Sequence, residues 1–202
     1  MAYAIDAATY SNTELNDTLS GSPDYWTDNG TITHSYALSQ LTWIKAGAGL
    51  ITSSVGNLAA TQRYYRFTWQ YTADNSSTPI IFATIDAGNT VIGAGMYMDF
   101  STNTLFARSG AGWSSTGVTL AISTTQQVEY VVNRTAGTYQ IYFDGVLNNT
   151  YNIDTNTDAA FSTMSFGGGT SAATYTGVIS DVFLAKDTLA TSRNLTLLGV
   201  GT

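Results

Sequence analysis

Fourteen acidic side chains are the first place to look for chemistry in this chain. Retaining hydrolysis of a glycosidic bond needs two carboxyls about 5 Å apart, one as acid and one as nucleophile. The only glutamates are Glu14 and Glu129, and neither has an acidic neighbour at i±2. Asp86 and Asp99 fall in separate strand-like runs, each alone. A glycoside hydrolase is therefore the disfavoured reading, and the protein is expected not to be an enzyme. His34 is the single histidine, and no G-x-S-x-G elbow accompanies it, so a Ser-His-Asp triad lacks its parts. His34 is expected in a loop. Cysteine is absent, which removes thiolate nucleophiles, disulfides and Cys-based metal sites.

Calcium is the one cofactor left open. Asp86-Ala87-Gly88-Asn89 and Asp74-Asn75 offer hard oxygen ligands near strand ends, making Asp86, Asn89 and Asp74 the calcium candidates. The EF-hand spacing is missing, and Asp and Asn in such loops commonly serve turn geometry. Asp144, before Gly145, reads as turn chemistry. Asp181 sits inside the apolar run VISDVFL and needs a partner there, expected from Arg134 or a backbone amide. Gly167-Gly168-Gly169 lacks the Lys-Ser/Thr of a phosphate loop and reads as a bend.

Sugar binding would use exposed aromatics stacked on pyranose faces beside Asn or Asp hydrogen-bonding groups. Trp113, placed between strands in Ser109–Ser115, is the first candidate, and Tyr25 and Trp26 are the next. Trp43 and Trp69 lie in apolar runs and are assigned to the core.

These residues must be positioned by strands. Val128, Tyr130 and Val132 alternate, as do Tyr139, Ile141 and Phe143, and period 2 marks a half-buried strand. Asp144-Gly145 between Phe143 and Val146 predicts a type I′ hairpin turn, whose central residues both take positive φ. Further strands are expected at Ala2–Ile5, Trp43–Lys45, Leu50–Ser53, Tyr64–Tyr71, Ile80–Asp86, Gly95–Phe100, Thr104–Ser109, Val118–Ile122, Met164–Phe166 and Val178–Ala185. Gly47-Ala48-Gly49 is read as a bend. Tyr65, Phe67 and Trp69 should share one face. Leu189–Leu198 is the best helical segment. Residues 11–42, rich in Ser, Asn, Asp and Thr, are expected to be an irregular surface excursion or docking arm. No linker divides residues 1–202, so one domain is expected.

Composition narrows the partners. Only 10% of residues are charged and the formal net charge is −7. Two lysines and five arginines, dispersed along the chain, cannot neutralise a run of phosphates, so nucleic acid is disfavoured. No apolar run spans a bilayer, and MAYAIDAATYSNTEL lacks the regions of a secretory signal. Asn-x-Ser/Thr sequons such as Asn75-Ser76-Ser77 then reflect composition rather than glycosylation.

Four segments carry a family resemblance. They are Phe67-Thr68-Trp69; Val128–Arg134 with Tyr139–Val146, ending YFDGV; Met164-Ser165-Phe166-Gly167-Gly168; and YTGVISDVFL followed by Leu189–Ser192. From residue 64 onward the chain resembles the laminin-G-like branch of the concanavalin A-like lectin/glucanase superfamily. The resemblance implies an all-β fold, a two-sheet antiparallel jelly-roll sandwich. It also implies calcium as a ligand of the kind such domains hold.

The first functional expectation is a non-enzymatic virion structural protein, such as a capsid decoration, head fibre or tail-associated protein, at the virion surface. Its partners would be capsid or tail proteins, and it would be a homo-oligomer. The alternative is a carbohydrate-binding module for host-surface glycans. The two are compatible.

Overall fold

The structure is a computed structural model and describes residues 12–16, 26–37, 40–53, 61–73, 80–86, 88, 90–167 and 175–187. Thirteen strands make up nearly all of it: β1 (Asn12–Asn16), β2 (Trp26–Ala37), β3 (Gln40–Ser53), β4 (Gln62–Ala73), β5 (Ile80–Ile85), β6 (Ile92–Asp99), β7 (Thr104–Ser109), β8 (Gly112–Thr119), β9 (Gln126–Asn133), β10 (Thr138–Phe143), β11 (Val146–Asn152), β12 (Thr163–Phe166) and β13 (Tyr175–Asp187). A short 3-10 turn covers Ala159–Phe161. The expected Ala2–Ile5 strand and Leu189–Leu198 helix lie outside the described residues.

Hydrogen bonds link the strands in the order β11-β10-β9-β4-β13-β3-β12-β5-β6-β7-β8, with β1 on β13 and β2 on β3. The path doubles back at β3. Leu41–Lys45 pair with β13, whereas Ile51–Ser53 pair with β12. Gly47-Ala48-Gly49 lies between these halves inside one continuous strand that serves both layers, where two strands flanking a bend were expected.

Rings from strands distant along the path meet between the layers. Phe82 of β5 lies 4.6 Å from Tyr130 of β9 and 5.1 Å from Phe67 of β4. Phe67 meets Phe166 of β12 edge-on at 5.1 Å. The fold is thus an antiparallel two-sheet sandwich of the jelly-roll kind, with an aromatic core. Tyr65, Phe67 and Trp69 share the buried face as the alternation requires. At the YFDGV hairpin Phe143 pairs with Val146, and Asp144 and Gly145 take φ of 50° and 79°.

Several placements differ from expectation. Residues 11–42 are not irregular where described: β1, β2 and the start of β3 lie there. Their Ser/Thr/Asn-rich composition hides strands whose order comes from pairing with β3 and β13. His34 accordingly lies in β2, not in a loop. The strand expected at Val118–Ile122 is instead Gly112–Thr119, because β8 is set by its ladder with β7. Its small polar residues suit a solvent-facing edge strand, so apolar alternation was a poor guide. Leu120 then leaves the ladder to donate to the Asn103 carbonyl at 2.8 Å.

Candidate functional site

The outer face of β6-β7-β8 carries a compact aromatic patch. Met96, Met98, Leu105 and Ala107 are fully buried. Alternation therefore sends Tyr97, Asp99, Phe106 and Arg108 to the other side of the sheet. Tyr97 pairs with Phe106 across β6-β7, and Arg108 with Trp113 across β7-β8. The Tyr97 and Phe106 rings stack at 4.8 Å with an interplanar angle of 2°. Trp113 meets Tyr97 at 4.8 Å and 80°. The result is a half-buried, L-shaped aromatic seat open to solvent.

Arg108 closes one side of the seat. Its guanidinium carbon lies 5.1 Å from the Trp113 ring centroid. Its Nε and one terminal nitrogen both donate to Asp154 Oδ2, at 2.9 and 2.6 Å. The Arg108 carbonyl accepts from the Tyr139 hydroxyl, which ties the seat to the core. Asp99 flanks the opposite side. Burial, and then the charge of Asp99, push the Tyr97 phenol above its ordinary 10.0, so its hydroxyl stays a hydrogen-bond donor at neutral pH.

Trp113 is therefore a strand residue with its ring in a cluster, not an isolated loop aromatic. The expectation that it faces solvent between strands is corrected in that sense. Tyr25 lies outside the described residues. Trp26 opens β2, and its side chain lies outside the described set.

The carboxylates have local structural partners. Asp86 Oδ1 accepts from the Thr90 and Val91 amides at 2.6 and 2.8 Å, and Oδ2 from Gly88 N and Thr90 Oγ1 at 3.3 and 3.1 Å. Both oxygens thus organise the β5–β6 loop. Burial acts to raise the Asp86 carboxyl, but the hydrogen bonds from Val91, Thr90 and Gly88 prevail and hold it below its ordinary 3.8. Asn89 and Asp74 lie outside the described residues. Among the described residues no three of His, Cys, Asp and Glu gather as a metal centre. Asp99 Oδ1 similarly caps the β6–β7 turn through Ser101 N and Oγ, at 2.9 and 2.6 Å.

A depressed carboxyl stabilises the fold above its unfolded value and loses that contribution as pH falls through its folded value. Asp86→Ala is expected to cost about 1–2 kcal/mol at pH 7, the scale of charge-assisted hydrogen bonds. The difference from wild type should shrink below about pH 4. Urea unfolding at pH 7 and pH 3 checks this, and an equal cost at both would count against it.

No family profile matches the chain, and no curated protein matches it. Solved structures do. A sialidase is similar over 88% of this chain and 19% of its own, with TM-score 0.70 and 11% identity. A botulinum neurotoxin type C structure, from a toxin whose cell entry is described as dependent upon interaction with two ganglioside molecules, is similar over 81% of this chain and 43% of its own, with TM-score 0.56 and 15% identity. Domain 4 of AbnA, an extracellular GH43 arabinanase from Geobacillus stearothermophilus in complex with arabinotriose, is similar over 88% of this chain and 92% of its own, with TM-score 0.55 and 14% identity. The chain shares their β-sandwich fold. It spans less than half of the sialidase and neurotoxin chains.

Within the sandwich, the remaining sequence candidates serve the scaffold. Asp144 Oδ1 accepts from Gln127 N at 3.2 Å, so the turn aspartate also ties its hairpin to β9. Asp181 stands exposed at a β13 bulge with φ of 52°, and its partner is Thr68 Oγ1 at 3.1 Å. The expected Arg134 partner is corrected: Arg134 pairs with Asp158 at 2.7 Å and lies over Phe161 at 5.1 Å. The bulge turns the Asp181 side chain outward, which an apolar alternation could not reveal. Glu129 is fully buried and accepts from the Tyr64 hydroxyl at 2.6 Å.

Tyr97, Phe106, Arg108 and Asp154 were not among the sequence candidates. Part of the signal was present. A tight Ser101-Thr102-Asn103 turn, with Met96, Met98, Leu105 and Ala107 taken as inward, would have placed Tyr97 beside Phe106 on the outer face. Asp154 had no such signal, because its pairing with Arg108 spans 46 residues.

Proposed function

We propose that this protein is a non-enzymatic glycan-binding module whose ligand stacks in the Trp113–Tyr97–Phe106 seat. The carrying observation is the placement of three aromatic rings on one solvent-facing sheet surface, with Tyr97 hydroxyl, Asp99 and the Arg108–Asp154 pair at its border. Aromatic faces supply apolar area to a sugar ring, and the polar border fixes its orientation. A solved structure of similar fold was determined in complex with arabinotriose, which supports this class of ligand. The carboxylates support the non-enzymatic reading: Asp86 and Asp99 cap their own turns, and Glu129 lies beneath Tyr64.

The test is glycan-array screening followed by calorimetric titration of the strongest ligand. Trp113→Ala is expected to weaken binding by about 30-fold or more, the effect of losing a central aromatic anchor worth about 2 kcal/mol. Unchanged affinity in a folded variant would sink the seat as the binding site.

A second reading is favoured by a different observation. Val146, Leu147 and Ile122 are exposed apolar side chains near the β10–β11 turn and the start of β9. They suit docking of a low-charge sandwich onto a capsid or tail, with the module acting as a homo-oligomeric virion surface protein. Binding to no glycan at all would leave this structural reading in its place.

A further inference from the structure

We infer that the aromatic seat takes neutral glycans and discriminates against sialylated or sulfated ones, an inference that rests on the glycan-binding reading above. Recognition of an anionic sugar needs a cation with open hydrogen-bonding capacity at the site. Among the described residues Arg108 is the cation at this seat, and its charge is already answered by Asp154. Two of its N–H groups converge on Asp154 Oδ2, at 2.9 and 2.6 Å, while its plane rests on Trp113. The two side chains are only 17% and 15% exposed. An incoming carboxylate or sulfate would compete with Asp154 for the guanidinium charge and bring a second anion beside that largely buried carboxylate, which is costly.

The surroundings add repulsion. Asp99 lies two residues along β6 from Tyr97, on the same outer face of the strand. Elsewhere Arg134 is engaged by Asp158, Arg63 is buried, and Arg66 lies over Phe183. Asp144, Asp158 and Asp181 are exposed, and the whole chain carries −7. The net charge of the chain therefore disfavours the approach of an anionic ligand. A neutral pyranose or furanose meets only the ring faces and the polar border, and pays no such penalty.

The experiment titrates the full chain with matched probes: cellotriose, arabinotriose and lactose as neutral sugars, and 3′-sialyllactose and 3′-sulfolactose as charged forms of lactose. Neutral sugars are expected to bind, with the charged forms about tenfold or more weaker at low salt and the gap narrowing at 0.5 M salt. Asp154→Asn should release Arg108 and raise affinity for 3′-sialyllactose relative to lactose by about tenfold. Asp99→Asn, which leaves the Arg108 pair intact, should shift the same ratio in the same direction if Asp154→Asn does not fold. Equal or tighter binding of the charged forms to wild type would overturn the inference and leave the glycan seat standing. An unchanged ratio in a folded Asp154→Asn protein would overturn the role given to the ion pair. Binding of no probe, and of nothing on the array, would overturn the underlying glycan reading itself.

Discussion

Phe82→Ala should lower the unfolding free energy by about 3–5 kcal/mol, the cost of deleting a buried aromatic side chain from a core that cannot close over the void. Phe82 is fully buried. Its ring lies 4.6 Å from Tyr130, 5.1 Å from Phe67, 5.5 Å from Tyr65 and 5.5 Å from Phe166. These partners come from β4, β9 and β12, so one ring bridges the two layers. Each partner is held by its own strand ladder, which limits relaxation into the gap. For a domain of this size the melting temperature should fall by about 6–20 °C. Phe82→Leu should recover much of the loss, because it keeps most of the buried apolar volume. Chemical denaturation with an unchanged m-value is the measurement. A loss under about 1 kcal/mol would mean that the layers do not meet through this residue.

Gly177→Ala should cost about 3 kcal/mol or more, despite adding a single methyl group, since overpacking at a rigid contact is as harmful as a cavity. Gly177 sits in β13 opposite Trp43 of β3 and is fully enclosed. A Cβ there would fall within the van der Waals shell of the Trp43 indole, with Cη2 at 2.8 Å and Cζ2 and Cε2 closer still. Trp43 cannot retreat: it is fully buried and packed against Phe166 at 6.0 Å and Tyr175 at 6.2 Å. The strand itself would have to shift, at the point where β13 is paired with both β3 and β4. Trp43→Phe removes the benzo ring atoms that the methyl would strike. In the double variant the added cost of Gly177→Ala should therefore be much smaller than in wild type, a coupling of about 1–2 kcal/mol. Strictly additive effects would show that the clash is not the cause.

The same glycine shows how far a sequence reading reaches. A glycine inside a β-rich run signals a close backbone approach, and YTGVISDVFL displays one. What approaches it is not written nearby, because Trp43 lies 134 residues earlier in the chain. Asp181 in the same run teaches a similar lesson. Its burial looked obligatory from its apolar neighbours, yet the bulge between Ser180 and Phe183 sends it into solvent. A single extra residue in a ladder reverses facing without leaving a mark in the period-2 pattern.

The N-terminal third was the least legible part. β2 and β3 form a long hairpin in which the residues up to 42 read as polar and irregular, while Trp43–Lys45 and Leu50–Ser53 read as strand. Their order comes from a ladder of backbone hydrogen bonds, which carries no side-chain signature. β8 was misplaced for the same reason, and with it the setting of Trp113.

By itself the sequence determined most strands from β4 onward, the Asp144-Gly145 hairpin turn and the all-β sandwich, though not the bulge between Ile141 and Tyr142 that shifts the hairpin's register. These are local properties. Alternating burial and positive φ at a turn are recorded in residues a few positions apart. Tertiary structure alone decided which aromatics face solvent, and that Arg108 is spent on Asp154 rather than left for a ligand. Those outcomes depend on the register among β6, β7 and β8 and on where the end of β11 comes to rest. Such placements are fixed by packing between distant segments, because a half-buried ring satisfies the same local pattern on either face of a sheet.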